Sequence, residues 1–142
     1  CLEAMITFGG DKTCAYGCLG YGTCVKACQF GAITIENGLA KIDPKKCTAC
    51  LACIKVCPRN VIEMRKDTKS VAVLCSSQDK GKAVKAVCEV GYITCGICAK
   101  NCPEGAITMD AQTNLPVIDM LKCTDCRICV EKCPQNIIKP RA

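Results

Sequence analysis

A cysteine motif with one fixed spacing occurs twice in this chain of 142 residues and limits its fold more than any other feature. It reads C-x2-C-x2-C-x3-C-P, over residues 123–134 and again over residues 47–58. Three cysteines at two-residue intervals can line one loop around a compact group, whereas the fourth lies about one helical turn further on and points away. Each motif therefore needs a partner motif that can use its fourth cysteine.

The spacing is typical of proteins in which thiolates hold a [4Fe-4S] cube and the fourth cysteine ligates the neighbouring cube. The proline that follows favours a break in the helix. Structural zinc sites pair their ligands as C-x2-C or mix them with histidine. This chain has no histidine, and its cysteines recur as triplets. A disulfide scaffold is the other class open to a short chain with 18 cysteines, and the repeated spacing favours iron over it.

Two further motifs are irregular copies of the same pattern. The first has the spacing C-x3-C-x5-C-x3-C over residues 14–28, with Gln29 in place of the proline. In the third, Tyr92 stands where the first cysteine of C-x2-C-x2-C-x3-C belongs, and Cys88 is the nearest upstream thiol. We expect Cys88 to act as the substitute ligand. A tyrosine ligand and a three-iron cluster stay open as alternatives.

Pairing the first motif with the second and the third with the fourth predicts four [4Fe-4S] clusters and uses 16 of the 18 cysteines. The predicted ligand sets are Cys14, Cys18 and Cys24 with Cys57 at site 1; Cys47, Cys50 and Cys53 with Cys28 at site 2; Cys88, Cys95 and Cys98 with Cys133 at site 3; and Cys123, Cys126 and Cys129 with Cys102 at site 4. Cys75 lies in an apolar segment and is expected to be a buried, inert thiol. Two alternatives stay open for Cys1, a ligand of a site upstream of this segment or no role.

The residues after each fourth cysteine repeat as a turn followed by an apolar segment, which predicts short strands. Asn37-Gly38 predicts a hairpin between residues 32–35 and 39–42, and residues 106–109 and 117–118 predict a second. The fold class is therefore predicted as α+β, with two tandem bacterial two-[4Fe-4S] ferredoxin-like modules. The predicted domains are an N-terminal lead-in (1–13), module 1 (14–66), a strand-helix linker (67–87) and module 2 (88–142). In the linker we expect a buried strand over residues 71–75 and a helix through 83–87 capped by residues 77–80.

The formal charge of +6 is misleading if clusters form. Each oxidised cube with four thiolates carries about −2, so four of them lower the net charge to about −2. Nucleic-acid binding then loses its main support, and Lys80, Lys82 and Lys85 are either a docking patch for an acidic partner or a solvated helix face.

Thiolate ligands imply a reducing compartment. No apolar run reaches the roughly 18 residues of a membrane span, so this segment is expected to be soluble, and its start at Cys1 suggests a longer protein.

Several linking segments resemble the RnfB/RsxB family, the ferredoxin-like component of the Rnf complex. They are Gly9 to Lys12, residues 16–22, Cys75 to Ser77, Asp79 to Lys82, and Cys88. The resemblance implies a peripheral module of a membrane-bound ferredoxin:NAD+ oxidoreductase that couples electron flow to sodium or proton transport. It implies reduced ferredoxin as the electron donor, other membrane subunits as partners, attachment at the cytoplasmic face, and an upstream membrane helix. Family members tend to have cysteine where this chain has Tyr92.

No residue set in the sequence suggests bond-making catalysis, so a one-electron relay is the expected function. The main alternative is a soluble polyferredoxin or the ferredoxin subunit of a ketoacid oxidoreductase. A radical enzyme is a further class, because such enzymes use a C-x3-C-x2-C triplet. Cys14 and Cys18 begin that pattern, but Tyr21 fails to complete it.

Overall fold

The computed structural model describes residues 1–65 and 71–140, and the chain divides into two compact units after Met64. Short helices and short strands occur in both units, as the α+β class predicts. Residues 66–70, where the predicted module 1 ends and the predicted linker begins, lie outside the described residues. The domain boundaries therefore stay a prediction.

Unit 1 contains three helices and one hairpin among its described residues: α1 (Leu2–Phe8), α2 (Thr23–Ala27), β1 (Ile33–Glu36), β2 (Leu39–Ile42) and α3 (Ala52–Lys55). Strands β1 and β2 pair antiparallel, from Ile33 opposite Ile42 to Glu36 opposite Leu39. Asn37 and Gly38 both have positive φ, 51° and 71°, as a two-residue turn that matches strand twist requires. The predicted hairpin is confirmed.

Unit 2 contains four strands and three helices among its described residues: β3 (Val71–Val73), α4 (Gly81–Val87), α5 (Ile97–Lys100), β4 (Ile107–Met109), β5 (Pro116–Ile118), α6 (Ile128–Glu131) and β6 (Ile138–Pro140). β4 pairs with β5 in the second predicted hairpin, which is therefore confirmed. β3 pairs with β6, placing Val73 opposite Ile138.

The strand expected in the linker is shorter than predicted and forms part of unit 2. Strand β3 ends at Val73, and the Leu74 side chain is 64% exposed. Val71 and Ile138, from the two paired strands, are the most buried large side chains of the described chain. They belong to the core of unit 2 together with Tyr92, Ile107 and two motif cysteines, Cys98 and Cys129. The core of this unit is thus built around the cysteine motifs.

Helix α4 forms where a helix was expected, and its N-cap lies in the segment that was expected to cap it. Its N-cap residue is Lys80, which makes no side-chain capping bond. The Ser77 hydroxyl instead accepts a hydrogen bond from the Asp79 N–H at 3.4 Å. The helix begins at Gly81, where a Cβ would lie 2.8 Å from the Ile93 carbonyl oxygen. Close approach of the Ile93 backbone therefore favours glycine at the first residue of this helix.

Strands follow the fourth cysteine in three motifs but not in the second, where residues 61–65 form neither helix nor strand. In unit 2 the strand after motif 4 pairs with β3, the segment that precedes motif 3. The corresponding segment of unit 1, which precedes motif 1, is helix α1. Because a helix offers no ladder of free N–H and C=O groups, the short strand predicted after the second motif has no such partner there.

Candidate iron-sulfur sites

In each unit, two short helices pack against each other, and each carries the third cysteine of one motif. Cys24 lies in α2 and Cys53 in α3, and these helices pack together in unit 1. Cys98 in α5 and Cys129 in α6 have the same relation in unit 2. The fourth cysteine of each motif follows the end of its helix, so the packing of the two helices brings each fourth cysteine toward the partner motif.

The loops before these helices share an unusual backbone in motifs 2, 3 and 4. The residues on either side of the second cysteine have positive φ, between 56° and 65°: Ala49 and Leu51, Thr94 and Gly96, Asp125 and Arg127. Five of these six are not glycine, and each such residue costs roughly 1–2 kcal/mol in this conformation. Alternation of right- and left-handed residues turns successive N–H groups to one side and forms the anion-binding concavities found at many iron-sulfur sites. The strained loops therefore fit a bound anionic cluster.

Site 4 is a cavity of unit 2 with about 350 Å³ of empty space, open solvent included. Four thiols line it: Cys123, Cys126 and Cys129 from motif 4, and Cys102 from motif 3. Val71, Ile107 and Ile118 supply apolar walls. The thiols that line this cavity are those predicted for site 4, and they come from two motifs. That donor set fits a [4Fe-4S] cluster.

Site 3 is a second cavity of unit 2, with about 280 Å³ of empty space, open solvent included. Three thiols line it, Cys95, Cys98 and Cys133, together with Tyr92 and the apolar Ile137 and Ile138. Cys88, the predicted fourth ligand, is not among the side chains that line it. The structure thus brings three of the four predicted thiols together and places Tyr92 beside them.

Tyr92 is held by hydrogen bonds at both its backbone and its side chain. Its hydroxyl donates to the Asn114 carbonyl oxygen at 2.9 Å, and its N–H donates to the Cys75 sulfur at 3.3 Å. Only 3% of the residue is exposed. Burial, and then the neighbouring Cys98, Cys95 and Cys133, raise the pKa of the phenol to about 12. Tyr92 is therefore a neutral, hydrogen-bonded part of the wall at pH 7.

Cys75 is half-buried and packs against the core of unit 2, and its sulfur accepts the Tyr92 N–H. It lines neither the cavity of site 3 nor that of site 4. Its expected role as an inert thiol stays a prediction.

Unit 1 groups its thiols in a similar way. Cys18 and Cys57 both lie close enough to Cys24 to act on its ionisation, which joins motif 1 to the fourth cysteine of motif 2. Cys47 and Cys50 stand in the same relation to Cys53. Cys47 and Cys50 are exposed, so site 2 faces solvent more than the others do. Cys28 ends helix α2.

Two cations tie the lead-in of unit 1 to site 1. Arg59, two residues after Cys57, donates to the carbonyl oxygens of Gly9 at 2.6 Å and Cys14 at 3.0 Å. Lys12 donates to the Cys18 carbonyl oxygen at 2.7 Å. These bonds fix the backbone that presents the motif 1 cysteines, and they add positive charge beside them.

Burial raises the pKa of several thiols, which are neutral before iron binds. Desolvation is the main cause for Cys24, Cys53 and Cys98, and neighbouring thiols add to it. For Cys129 the pKa rises from the ordinary 9.0 to about 11, through burial and then Cys126 and Cys123. Because iron binds the thiolate, these sites must lose protons when a cluster enters.

No three His, Cys, Asp or Glu side chains within residues 1–65 and 71–140 are arranged to hold a single metal ion. The thiolates of a cube each bind a different iron, so they do not need to converge on one point.

Sequence reasoning missed a left-handed residue three positions after each fourth cysteine. Its φ lies between 51° and 58° at Gly31, Asn60, Gly105 and Asn136. The signal was present, because glycine and asparagine are the residues that tolerate this conformation best. The Arg59 and Tyr92 hydrogen bonds had no comparable signal, since their acceptors are backbone carbonyls distant in sequence.

Comparison with known proteins agrees with the iron-sulfur assignment. Residues 93–137 match the 4Fe-4S dicluster domain family, and residues 40–63 match the 4Fe-4S binding domain family. The chain thus contains two stretches of the 4Fe-4S ferredoxin type. Among the helices of the described residues, none has the length and apolar character needed to cross a membrane.

Three curated relatives, each the B subunit of an ion-translocating complex, are similar over nearly the whole chain. That of the ion-translocating oxidoreductase complex of Methanosarcina acetivorans is 49% identical over 142 residues, covering 99% of this chain and 53% of that protein. That of the Na(+)-translocating ferredoxin:NAD(+) oxidoreductase complex of Acetobacterium woodii is 48% identical over 139 residues, 97% of this chain and 41% of that protein. The proton-translocating counterpart from Clostridium ljungdahlii is 46% identical, over 98% of this chain and 49% of that protein. This chain therefore belongs to the RnfB family of ion-translocating oxidoreductase complexes and spans about half the length of these relatives.

Proposed function

We propose that this chain is an electron relay that holds four [4Fe-4S] clusters and passes single electrons between partners of an Rnf-type ferredoxin:NAD+ oxidoreductase. The observation that carries the proposal is the composition of the unit 2 cavities. Each is lined by thiols from both motifs of the unit, Cys133 joining motif 3 and Cys102 joining motif 4. Such exchange places two clusters next to each other, as a relay needs.

The proposed ligands are the full predicted sets at sites 1, 2 and 4. At site 3 they are three of the four predicted thiols. They are Cys14, Cys18, Cys24 and Cys57 at site 1; Cys28, Cys47, Cys50 and Cys53 at site 2; Cys95, Cys98 and Cys133 at site 3; and Cys102, Cys123, Cys126 and Cys129 at site 4. Cys88 as a fourth ligand at site 3 stays a prediction from spacing.

When bound, the clusters would supply one-electron chemistry at potentials that the protein adjusts. The contribution of this chain is to exclude water and to place N–H groups and charges around the sulfur atoms. The apolar walls of sites 3 and 4 serve the first purpose, and the left-handed loops serve the second. Arg59 and Lys12 add positive charge beside site 1, which favours its reduced state.

The proposed partners follow from the names of the relatives and from the resemblance of the linking segments. Reduced ferredoxin is the proposed donor, and other membrane subunits of the complex are the proposed acceptors. The proposed location is the cytoplasmic face of the membrane, where thiols stay reduced. The tandem arrangement of two ferredoxin-like modules belongs to the same proposal.

Single cysteine-to-serine variants of the anaerobically purified protein test whether the two motifs of unit 2 exchange their fourth cysteines. Cys102→Ser and Cys126→Ser should remove the same EPR signal of the reduced protein, because both thiols line site 4. Cys98→Ser should remove a different one, because its thiol lines site 3. If Cys102→Ser instead matches Cys98→Ser, the exchange is wrong.

Cys75→Ser is the matched control and should keep all iron and labile sulfide, because Cys75 lines neither cavity. Each ligand variant should lose on the order of four irons per chain if its cluster is lost whole. A redox titration that finds fewer than three reducible clusters in the unmodified protein would contradict the relay.

A further inference from the structure

Site 3 differs from site 4 at one corner, although the two loops have the same backbone. Cys123 opens motif 4, and Tyr92 occupies the equivalent place in motif 3. Both loops then continue with a left-handed residue on either side of the second cysteine, Cys126 or Cys95. The chain thus presents the first ligand position of site 3 in the usual way but with a phenol in place of a thiol.

The Tyr92 hydroxyl already makes a hydrogen bond to another part of unit 2. Its hydroxyl donates a 2.9 Å hydrogen bond to the Asn114 carbonyl, in the hairpin turn between β4 and β5, and lies 3.8 Å from the Met109 sulfur. A phenolate ligand has no proton to donate. Ligation by Tyr92 would therefore break this bond and leave the Asn114 carbonyl without its donor.

Two other thiols lie near Tyr92 in sequence or space, and neither lines the cavity. Cys88 ends helix α4 and lies against Gly91, where a Cβ would be 3.5 Å from its sulfur. A Cβ at Gly91 would also overlap the Val84 side chain, so the turn after Cys88 accepts glycine only. Cys75 is held by the Tyr92 N–H.

We propose that site 3 binds its cluster through three thiolates, Cys95, Cys98 and Cys133, and that Tyr92 closes the fourth corner without ligating iron. This inference rests on the proposed function, because it presupposes a cluster at site 3. A cluster held by these three thiolates would have one iron without a protein thiolate, next to Tyr92, and that iron would be the one that can leave.

The expected chemistry is a balanced loss of one iron. With a [4Fe-4S]2+ cluster bound at site 3, a one-electron oxidant of the ferricyanide class would remove one electron and leave [3Fe-4S]+ with release of one Fe2+. The three thiolate bonds remain, and no protein bond is broken. Addition of Fe2+ and a one-electron reductant such as dithionite reverses the step.

EPR of the full chain, treated anaerobically with ferricyanide, tests this directly. A [3Fe-4S]+ cluster is paramagnetic, whereas a [4Fe-4S]2+ cube is not. We expect a three-iron signal of about one spin per chain with release of about one iron. Tyr92→Cys should abolish the signal, because it supplies the missing thiol. Tyr92→Phe is the matched control and should keep the signal, because the phenol oxygen is not a ligand.

Cys88→Ser separates this proposal from the spacing prediction. If Cys88 is not a ligand, the Cys88→Ser variant should give the same three-iron signal and the same iron count as the unmodified protein. A three-iron signal that appears only after Cys88→Ser or only after Tyr92→Phe would overturn the inference, as would four oxidation-resistant cubes in the unmodified protein. The last result would leave the relay intact, whereas absence of clusters altogether would remove the proposed function itself.

Discussion

At the residue scale, the backbone conformation explains which residue types the cysteine motifs accept. Three positions after each fourth cysteine, the chain adopts a left-handed conformation, and only glycine or asparagine stands there. Asn60, Gly105 and Asn136 each donate their N–H to the carbonyl of the preceding fourth cysteine at 3.2 Å. This turn redirects the chain from the cluster loop toward the next strand, so the conformation matters more than the side chain.

Gly31→Asn is therefore expected to be nearly neutral, within about 0.5 kcal/mol in the free energy of unfolding. Gly31 has φ 58° and no atom within 4 Å of its Cβ position, and asparagine occupies the equivalent place in motifs 2 and 4. Gly20→Ala should instead destabilise unit 1 by roughly 2–4 kcal/mol, because φ is 82° and the Cβ would overlap the Gly38 backbone. Urea titration followed by loss of cluster absorbance measures both. Equal effects of the two substitutions would disprove the argument.

At the scale of elements, the sheet of β3 and β6 links packing to the environment of the clusters. Ile138 lines the cavity of site 3, and Val71 lines the cavity of site 4. Both side chains are almost fully buried, at 2% and 1% exposed. A segment that the sequence suggested as a linker thus contributes a wall of a cluster site.

Ile138→Ala is expected to destabilise unit 2 by about 2–4 kcal/mol, because it removes a buried side chain from a packed core. It should also change the reduction potential of the site 3 cluster, since water gains access to the wall. Lys139→Ala is the matched control, because Lys139 is the exposed neighbour on the same strand. Denaturation and a redox titration followed by EPR measure the two effects. A potential that is unchanged in Ile138→Ala would show that this wall does not control solvent access.

The sequence predicted those elements whose causes are local. Asn37-Gly38 fixes one hairpin by its own turn preference, and the cysteine spacing fixes the cluster loops. The pairing of β3 with β6 joins Val71 to Pro140, far apart in the chain, and depends on packing that no short pattern encodes. The absence of a strand over residues 61–62 has the same origin, because it depends on whether the segment before the motif is a strand or a helix. The phenol of Tyr92 likewise finds its acceptor, the Asn114 carbonyl, only in the folded unit.

At the scale of the whole molecule, cluster binding is expected to reverse the sign of the net charge. The chain without iron has a formal charge of +6 at pH 7. Burial raises the pKa of Cys24, Cys53, Cys98 and Cys129 further above 7, so these thiols are neutral at that pH. The four proposed clusters would bring about two negative charges each, which would lower the total to about −2. With the proposed clusters bound, the positive side chains would offset cluster charge, and the formal charge of +6 would no longer favour nucleic-acid binding.

Anaerobic native electrophoresis at pH 7 should show this reversal, with the iron-free protein moving toward the cathode and the loaded protein toward the anode.

Reconstitution with iron and sulfide should also release protons and be more favourable at about pH 9 than at pH 7. The sign follows from the pKa values, because each thiol that binds iron must first lose a proton, and a raised pKa such as that of Cys129, about 11, increases the cost of losing it at low pH. The same shift should make the iron-free fold less stable between pH 9.0 and about 11, where the unfolded chain ionises this thiol and the folded chain does not. If the two forms migrate alike and reconstitution is independent of pH, then thiolate-bound clusters do not determine the charge of this molecule.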